Sequence, residues 1–182
     1  SWLEEMLQLC QQKDVGMVGA KLYYPDDTIQ HAGVVVGLGG VAAHVLCKLP
    51  RDAEGYMGRL RCVQEISAVT AACMMVKTSV FKVVGGFDEE LKVAFNDIDL
   101  CMKVRKYGVK IVFTPYAELY HYESKSRGME DTPEKQLRFS REVNCFRRKW
   151  ERELLKGDPY YNPNLTLNNT DCSLRKQEKN GD

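Results

Sequence analysis

Two short stretches concentrate the side chains able to do chemistry. The first is Phe95-Asn96-Asp97-Ile98-Asp99-Leu100, two carboxylates at the head of an amphipathic helical pattern. A carboxylate in that position accepts backbone N–H groups that have no intrahelical partner, and it meets the positive end of the helix dipole. It can equally face a cleft and take a proton from a hydroxyl as a general base. Residue type and spacing leave the structural and the catalytic role open. They do exclude joint chelation. Positions i and i+2 of a helix project about 200° apart, so Asp97 and Asp99 cannot grip one ion together, although they spell D-x-D. A Mg²⁺-dependent phosphotransferase built on this pair is disfavoured by the same geometry. One aspartate is expected to cap the helix and the other to face a cleft.

The second stretch is Glu118-Leu119-Tyr120-His121-Tyr122-Glu123-Ser124-Lys125-Ser126-Arg127-Gly128. A neutral imidazole is a metal ligand, and Lys125 and Arg127 can grip phosphate oxygens, the arginine as a fork. The plain alternative is a core histidine beside a solvated charged loop. The remaining candidates read as structural. Gly37-Leu38-Gly39-Gly40 is not G-x-G-x-x-G and precedes no helix, so it is a turn. His31 and His44 have no acids at ligand spacing and read as packing residues. Trp150 is a core anchor, and Asp26 and Asp27 form a turn.

The elements that must position these groups follow from periodicity. Trp2 to Gln12 is an amphipathic helix with Leu3, Met6, Leu7 and Cys10 on one face, and Val15 to Tyr24 is a buried strand. Ile29 to Leu38 is a second strand. Residues 47–61 form an irregular loop, long enough to carry function, and Val63 to Val76 is core strand. A short helix runs from Thr78 to Val84 and stops at Gly85-Gly86. A longer one runs from Asp97 to Tyr107 and stops at Gly108. Val109 to Phe113 is a strand closed by Thr114-Pro115. The chain is helix-prone from Thr132 to about Leu155, and its last part is polar. The class is α/β with short connections.

The 182 residues carry 26 Lys and Arg against 25 Asp and Glu, a net charge of +1. That balance fits no general polyanion binder, and no nucleic-acid motif is present. Seven scattered cysteines without C-x-x-C argue against a disulfide framework and a cysteine zinc site. They fit a reducing cytosol. No apolar run reaches the length of a bilayer span. The opening Ser1-Trp2-Leu3-Glu4-Glu5-Met6 reads as a helix already under way.

Three ordered stretches resemble one family. Val69-Thr70-Ala71-Ala72-Cys73-Met74-Met75-Val76 through Val83-Val84-Gly85-Gly86-Phe87-Asp88-Glu89 resembles the acceptor-side middle of family 2 glycosyltransferases of the GT-A fold. Asn96-Asp97-Ile98-Asp99-Leu100-Cys101-Met102-Lys103-Val104-Arg105 resembles that family's E-D-x-D-L-x-x-R segment. His121-Tyr122-Glu123-Ser124-Lys125-Ser126-Arg127-Gly128 resembles its downstream histidine motif. The likeness runs from Trp2 through Pro163 and is greatest to bacterial enzymes that build rhamnose-rich or O-antigen surface polysaccharides.

The resemblance implies a partial GT-A (nucleotide-diphospho-sugar transferase) fold, a mixed sheet with flanking helices that lacks the N-terminal nucleotide-binding half. Residues 1–130 would be the acceptor-side part, 131–157 a helical extension and 158–182 a polar, mobile tail. In the family the second acid of E-D deprotonates the acceptor hydroxyl, a role that falls on Asp97. Asn96 stands where the family has glutamate; Asn96 and Asp99 are expected to bind acceptor or cap the helix. His121 would ligate Mn²⁺ or Mg²⁺ on the nucleotide diphosphate, with Ser126 and Arg127 near that diphosphate. A single ligand should hold such an ion poorly, because hard cations take several oxygens. The implied partners are a nucleotide-sugar donor and a glycan or lipid-linked acceptor. The implied location is cytoplasmic, with room for peripheral association at the inner face of the membrane. An unpaired sheet edge would invite self-association. The fragment alone is expected to be inactive. The alternative is a non-catalytic glycan-binding or docking module on the same fold.

Overall fold

A nine-residue strand with every side chain buried, β1 (Val15–Tyr23), is the spine around which the computed structural model is built. The structure describes residues 1–122 and 132–176. Its class is mixed α/β, with a mixed sheet and flanking helices, as the sequence predicts. β1 pairs in parallel with β7 (Lys110–Tyr120) and antiparallel with both β2 (Ile29–His31) and β6 (Met74–Val76). A short strand, β5 (Gln64–Glu65), flanks β7 antiparallel. The sheet order is β2-β1-β7-β5, with β6 beside β1. A separate hairpin joins β3 (Val34–Val36) to β4 (Ala42–His44). Among the described residues β6 has a strand partner only in β1, so one of its edges carries no strand.

Glycine inside β1 has a packing cause. A Cβ on Gly19 would lie 2.3 Å from a Val69 methyl, so only a bare backbone lets the 67–70 segment press onto the strand. Helix α1 (Trp2–Cys10) covers one sheet face through Met6 and Cys10, whereas Leu3 and Leu7 of the expected stripe stay exposed. The other face carries the main core, with α2 (Thr78–Val83) and α3 (Asn96–Tyr107). Gly85-Gly86 ends the short helix and Gly108, at φ 97°, ends the long one, as expected.

Four expectations need correction. The strand expected over Ile29 to Leu38 breaks in two at Gly33, whose φ of 102° turns the chain. The strand expected over Val63 to Val76 is β5, a bend, a 3₁₀ turn at Ala71–Cys73 and β6. Thr70 sets that turn by accepting a bond from the Ala72 N–H at 3.3 Å. β7 does not stop at Thr114-Pro115. The proline sits in a bulge, where its missing donor does no harm. Pairing then resumes with Lys21 opposite Glu118, after Ala20 opposite Thr114. Finally, residues 158–176 pack onto the body. Tyr161, Leu165 and Cys172 are buried there, and Asp158 accepts a bond from the Val36 N–H at 2.8 Å. Too few apolar groups to make a core of their own suffice to join an existing one.

The charged C-terminal helix is two helices, α4 (Pro133–Lys149) and α5 (Glu151–Lys156), divided at Trp150. Thr132 caps α4 through the Lys135 N–H, and Pro133 occupies the first turn, where no N–H is needed. No helix among the described residues is long and apolar enough to cross a membrane.

Candidate functional site

Topology brings the two sequence-predicted stretches to one end of the molecule. α3 is followed by a two-residue turn, Gly108-Val109, and then by β7, against which it packs. The start of α3 and the end of β7 therefore lie toward the same end of the sheet, the end at which the parallel strands β1 and β7 finish. Open α/β sheets bind their ligands at such carboxyl ends.

Asp97 is the second residue of α3 and is half-buried. Its Oδ2 accepts from the Ala71 N–H at 3.0 Å and its Oδ1 from the Ile98 N–H at 2.9 Å. Each oxygen keeps a second lone pair, so the carboxylate is fixed in place yet still able to accept a proton. The helix N-cap is Phe95, whose side chain caps nothing. Asn96 is half-buried and makes no side-chain hydrogen bond among the described residues. Asp99 neither caps nor faces a cleft. It is fully buried, and its Oδ1 accepts from Trp150 Nε1 at 2.8 Å and meets Lys149 at 2.7 Å. Its Oδ2 meets Lys103 at 2.9 Å. Burial opposes a charged Lys149, but bonds to Asp88 and Asp99 outweigh it and hold the pKa above the ordinary lysine value. Asp99 is thus the polar anchor that ties Trp150 and the end of α4 to α3. The two aspartates point to different sides, in keeping with the helix geometry.

Sequence reasoning missed the brace under Asp97. Glu142, on α4 and nearly fully buried, accepts from the Val93 N–H at 3.1 Å and the Ala94 N–H at 2.9 Å. Phe95 follows in the left-handed region at φ 62°, stacked on Phe139 and Phe146 with centroids 5.8 and 5.4 Å away. A non-glycine residue there costs about 1–3 kcal/mol and persists only when its surroundings over-determine it. Here the two bonds and two rings do so, one residue before Asn96.

His121 sits just past the end of β7. Its N–H donates to Tyr23 O at 3.0 Å, continuing the pairing with β1. Its Nδ1 lies 2.9 Å from Gln30 Oε1, and its carbonyl accepts from Gln30 Nε2 at 3.4 Å. It lines a cleft of about 290 Å³ with Tyr24, Gln30, His44, Cys47 and Thr70. A polar path connects this cleft to the turn that holds Asp97. The Thr70 N–H faces His31 Nε2 at 3.4 Å, His31 Nδ1 lies 3.1 Å from His44 Nδ1, and His44 Nδ1 lies 3.0 Å from Gln30 O. His31 is fully buried; burial, with His44 beside it, holds its pKa well below the ordinary value. It is therefore a neutral link. An exposed clamp braces the approach to His121. Arg51 lies over the Tyr23 ring and bonds Glu118 Oε2 at 2.9 Å and the Tyr120 hydroxyl at 2.8 Å, while Tyr23 donates to Glu118 Oε1. Ser126 and Arg127 lie outside the described residues.

Among the described residues no group of three His, Cys, Asp or Glu side chains could hold a metal ion. His121 suits a contribution of one ligand, because Gln30 engages Nδ1 and no partner among the described residues meets Nε2. A second cleft, of about 570 Å³, is elsewhere. It is lined by Met102, Arg105, Lys106, Trp150 and Tyr160 at the far end of α3, roughly 13 Å along the helix from Asp97. Its cations, Arg105 and Lys106, sit in the last turn of α3, where they offset the negative end of the helix.

The described site is thus a fixed, half-exposed carboxylate and a tethered histidine at the carboxyl edge of a mixed sheet. No protein-family model matches the chain. It is 58% identical over 174 residues to an uncharacterized protein of Sinorhizobium fredii, spanning 95% of this chain and 19% of that protein. It is 39% identical over 183 residues to the O-antigen biosynthesis protein RfbC of Myxococcus xanthus, spanning 100% of this chain and 14% of that one. It is 36% identical over 62 residues to the N-acetylglucosaminyl-diphospho-decaprenol L-rhamnosyltransferase of Mycobacterium tuberculosis, spanning 34% of this chain and 20% of that enzyme. The chain thus spans a fifth or less of the length of the curated relatives it matches.

Proposed function

We propose that this chain is the acceptor-side part of a family 2 glycosyltransferase with a partial GT-A fold. The whole protein would move a sugar from a nucleotide-diphosphate donor to a hydroxyl of a glycan or lipid-linked acceptor in cell-surface polysaccharide synthesis. The reading is carried by Asp97, a half-exposed carboxylate held by two backbone N–H groups at the sheet edge that also carries His121. The names of two relatives, O-antigen biosynthesis and L-rhamnosyl transfer, support it. The seven free cysteines support a reducing, cytoplasmic setting.

In this mechanism Asp97 accepts the acceptor's hydroxyl proton while the hydroxyl oxygen bonds to the anomeric carbon. The bond from that carbon to the diphosphate oxygen breaks, its electron pair leaves with the nucleoside diphosphate, and a single displacement inverts the configuration. His121 would contribute one ligand to a divalent cation, Mn²⁺ or Mg²⁺. The cation, when bound, offsets charge on the departing diphosphate. Ser126 and Arg127 would lie near the same diphosphate, and Asn96 would meet the acceptor. The isolated chain would neither hold the ion firmly nor transfer sugar, because one imidazole is too few ligands.

Asn96 favours a second reading, a glycan-binding module without chemistry, since an amide cannot share a proton as the family's glutamate can. Incubating the full-length protein with a panel of nucleotide sugars separates the two. Release of nucleoside diphosphate that depends on acceptor and on Asp97 supports transfer. Glycan binding with no diphosphate release from any donor supports the module.

A further inference from the structure

Gln30 is a buried amide on a strand of three residues, and that strand is held on both sides. Tyr23 and Leu22 of β1 pair with Ile29 and His31. On the other edge the Ile29 N–H donates to Leu49 O at 2.8 Å, and the Lys48 N–H donates to Ile29 O at 2.7 Å. The Gln30 carbonyl also lies 3.0 Å from His44 Nδ1. Its backbone therefore has little freedom, and among the described residues its side chain meets both the carbonyl and the ring of His121.

The orientation of that side chain follows from chemistry. The His121 carbonyl can only accept, so the amide end facing it at 3.4 Å is the NH₂ group. The opposite end, facing Nδ1 at 2.9 Å, is then the oxygen, which can only accept. Nδ1 must accordingly carry the hydrogen. In a neutral imidazole this leaves the lone pair on Nε2. We infer that Gln30 is the positioning residue of His121, fixing its ring plane and its Nδ1–H tautomer so that Nε2 presents a lone pair to a divalent cation. The inference rests on the transferase reading of His121 given above. Hydrogen-bond partners of this kind orient metal-ligating histidines, and their loss typically weakens metal affinity about 10–100-fold. A neutral amide suits this site better than the usual carboxylate, because it orients the ring without adding negative charge beside a diphosphate.

The test is Mn²⁺ binding to the full-length protein without sugar nucleotide, followed by loss of the free-ion EPR signal. Gln30→Met keeps length and volume but removes the acceptor, and affinity should fall about tenfold or more. Gln30→Glu keeps an acceptor for Nδ1–H and should stay within a few-fold of the parent. A role confined to stability would weaken both variants alike, without this rescue. Should Gln30→Met fail to fold, Gln30→Asn, too short to reach Nδ1, replaces it. His121→Ala sets the floor. If it loses Mn²⁺ while Gln30→Met binds like the parent, the inference fails and the ligand reading survives. If His121→Ala itself binds Mn²⁺ unchanged, or the parent binds none, the ligand reading fails and the inference falls with it.

Discussion

Asp97 and Asp99 stand two residues apart and do different work, and the difference can be measured. A sugar hydroxyl is a poor nucleophile at neutral pH, so its proton must leave as the new bond forms. General-base help of this kind is worth about 10²–10⁴-fold in rate. Asp97→Asn is nearly isosteric and keeps an acceptor for the Ala71 N–H. In the full-length protein transfer should fall by about that factor, with donor affinity within a few-fold, since the lost interaction belongs to the transition state. Near-normal transfer, or failure only through unfolding, would refute the base assignment. Asp99→Asn should behave in the opposite way. It leaves Lys103 and Lys149 facing an uncharged group in a fully buried position. Breaking a buried pair costs about 3–5 kcal/mol, and the partial exposure of both lysines points to the lower end. A urea titration should report a loss of about 3 kcal/mol, and any loss of activity should track the unfolded fraction.

At the scale of elements, the start of α3 is held by a helix that lies far along the chain. Glu142 on α4 binds the Val93 and Ala94 N–H groups, and Phe139 and Phe146 of the same helix stack on Phe95. Glu142→Leu would leave two N–H groups without their acceptor, each costing about 1–3 kcal/mol if still buried. The loop should relieve this by opening. Amide hydrogen exchange over residues 92–97 should accelerate at least tenfold, while β1 and β7 stay protected. Uniform acceleration would instead mean global destabilisation and no local brace. Helix ends were legible in the sequence because glycine marks them locally, as at Gly85-Gly86 and Gly108. The order and helical placement of Asp97 were legible for the same reason. Glu142 and Gln30 were not, because their partners lie about 48 and 91 positions away along the chain, and no local pattern encodes such a pairing. The passage of β7 through Pro115 was hidden by a rule that is sound for regular strands and fails at a bulge.

For the molecule as a whole, the buried pair His31 and His44 links the wall of the site to acid stability. His31 is fully buried among β2 and the 67–70 segment, and the titratable group facing it is His44. Its folded pKa is therefore well below the ordinary value of 6.5. The sign follows from proton counting. Above about pH 7 His31 is neutral both folded and unfolded, and it adds no pH dependence. Below about 6.5 the unfolded chain takes a proton that the folded one refuses. Stability must then fall as pH falls, until the folded pKa is reached, by up to about 1.4 kcal/mol per pH unit. Between pH 6.5 and 5 the carboxylates held below their ordinary range, among them Glu118, Asp88 and Asp26, remain charged and contribute little slope. Melting temperatures measured at pH 7.5, 6.5, 5.5 and 5.0 should therefore decline across the last three. His31→Gln places an amide oxygen where Nε2 meets the Thr70 N–H and cannot titrate. Its melting temperature at pH 7.5 should be close to the parent's, and the decline toward pH 5 should flatten. An equal decline in parent and variant would assign the acid sensitivity to other groups, and would leave His31 as a packing residue that happens to touch the Thr70 turn.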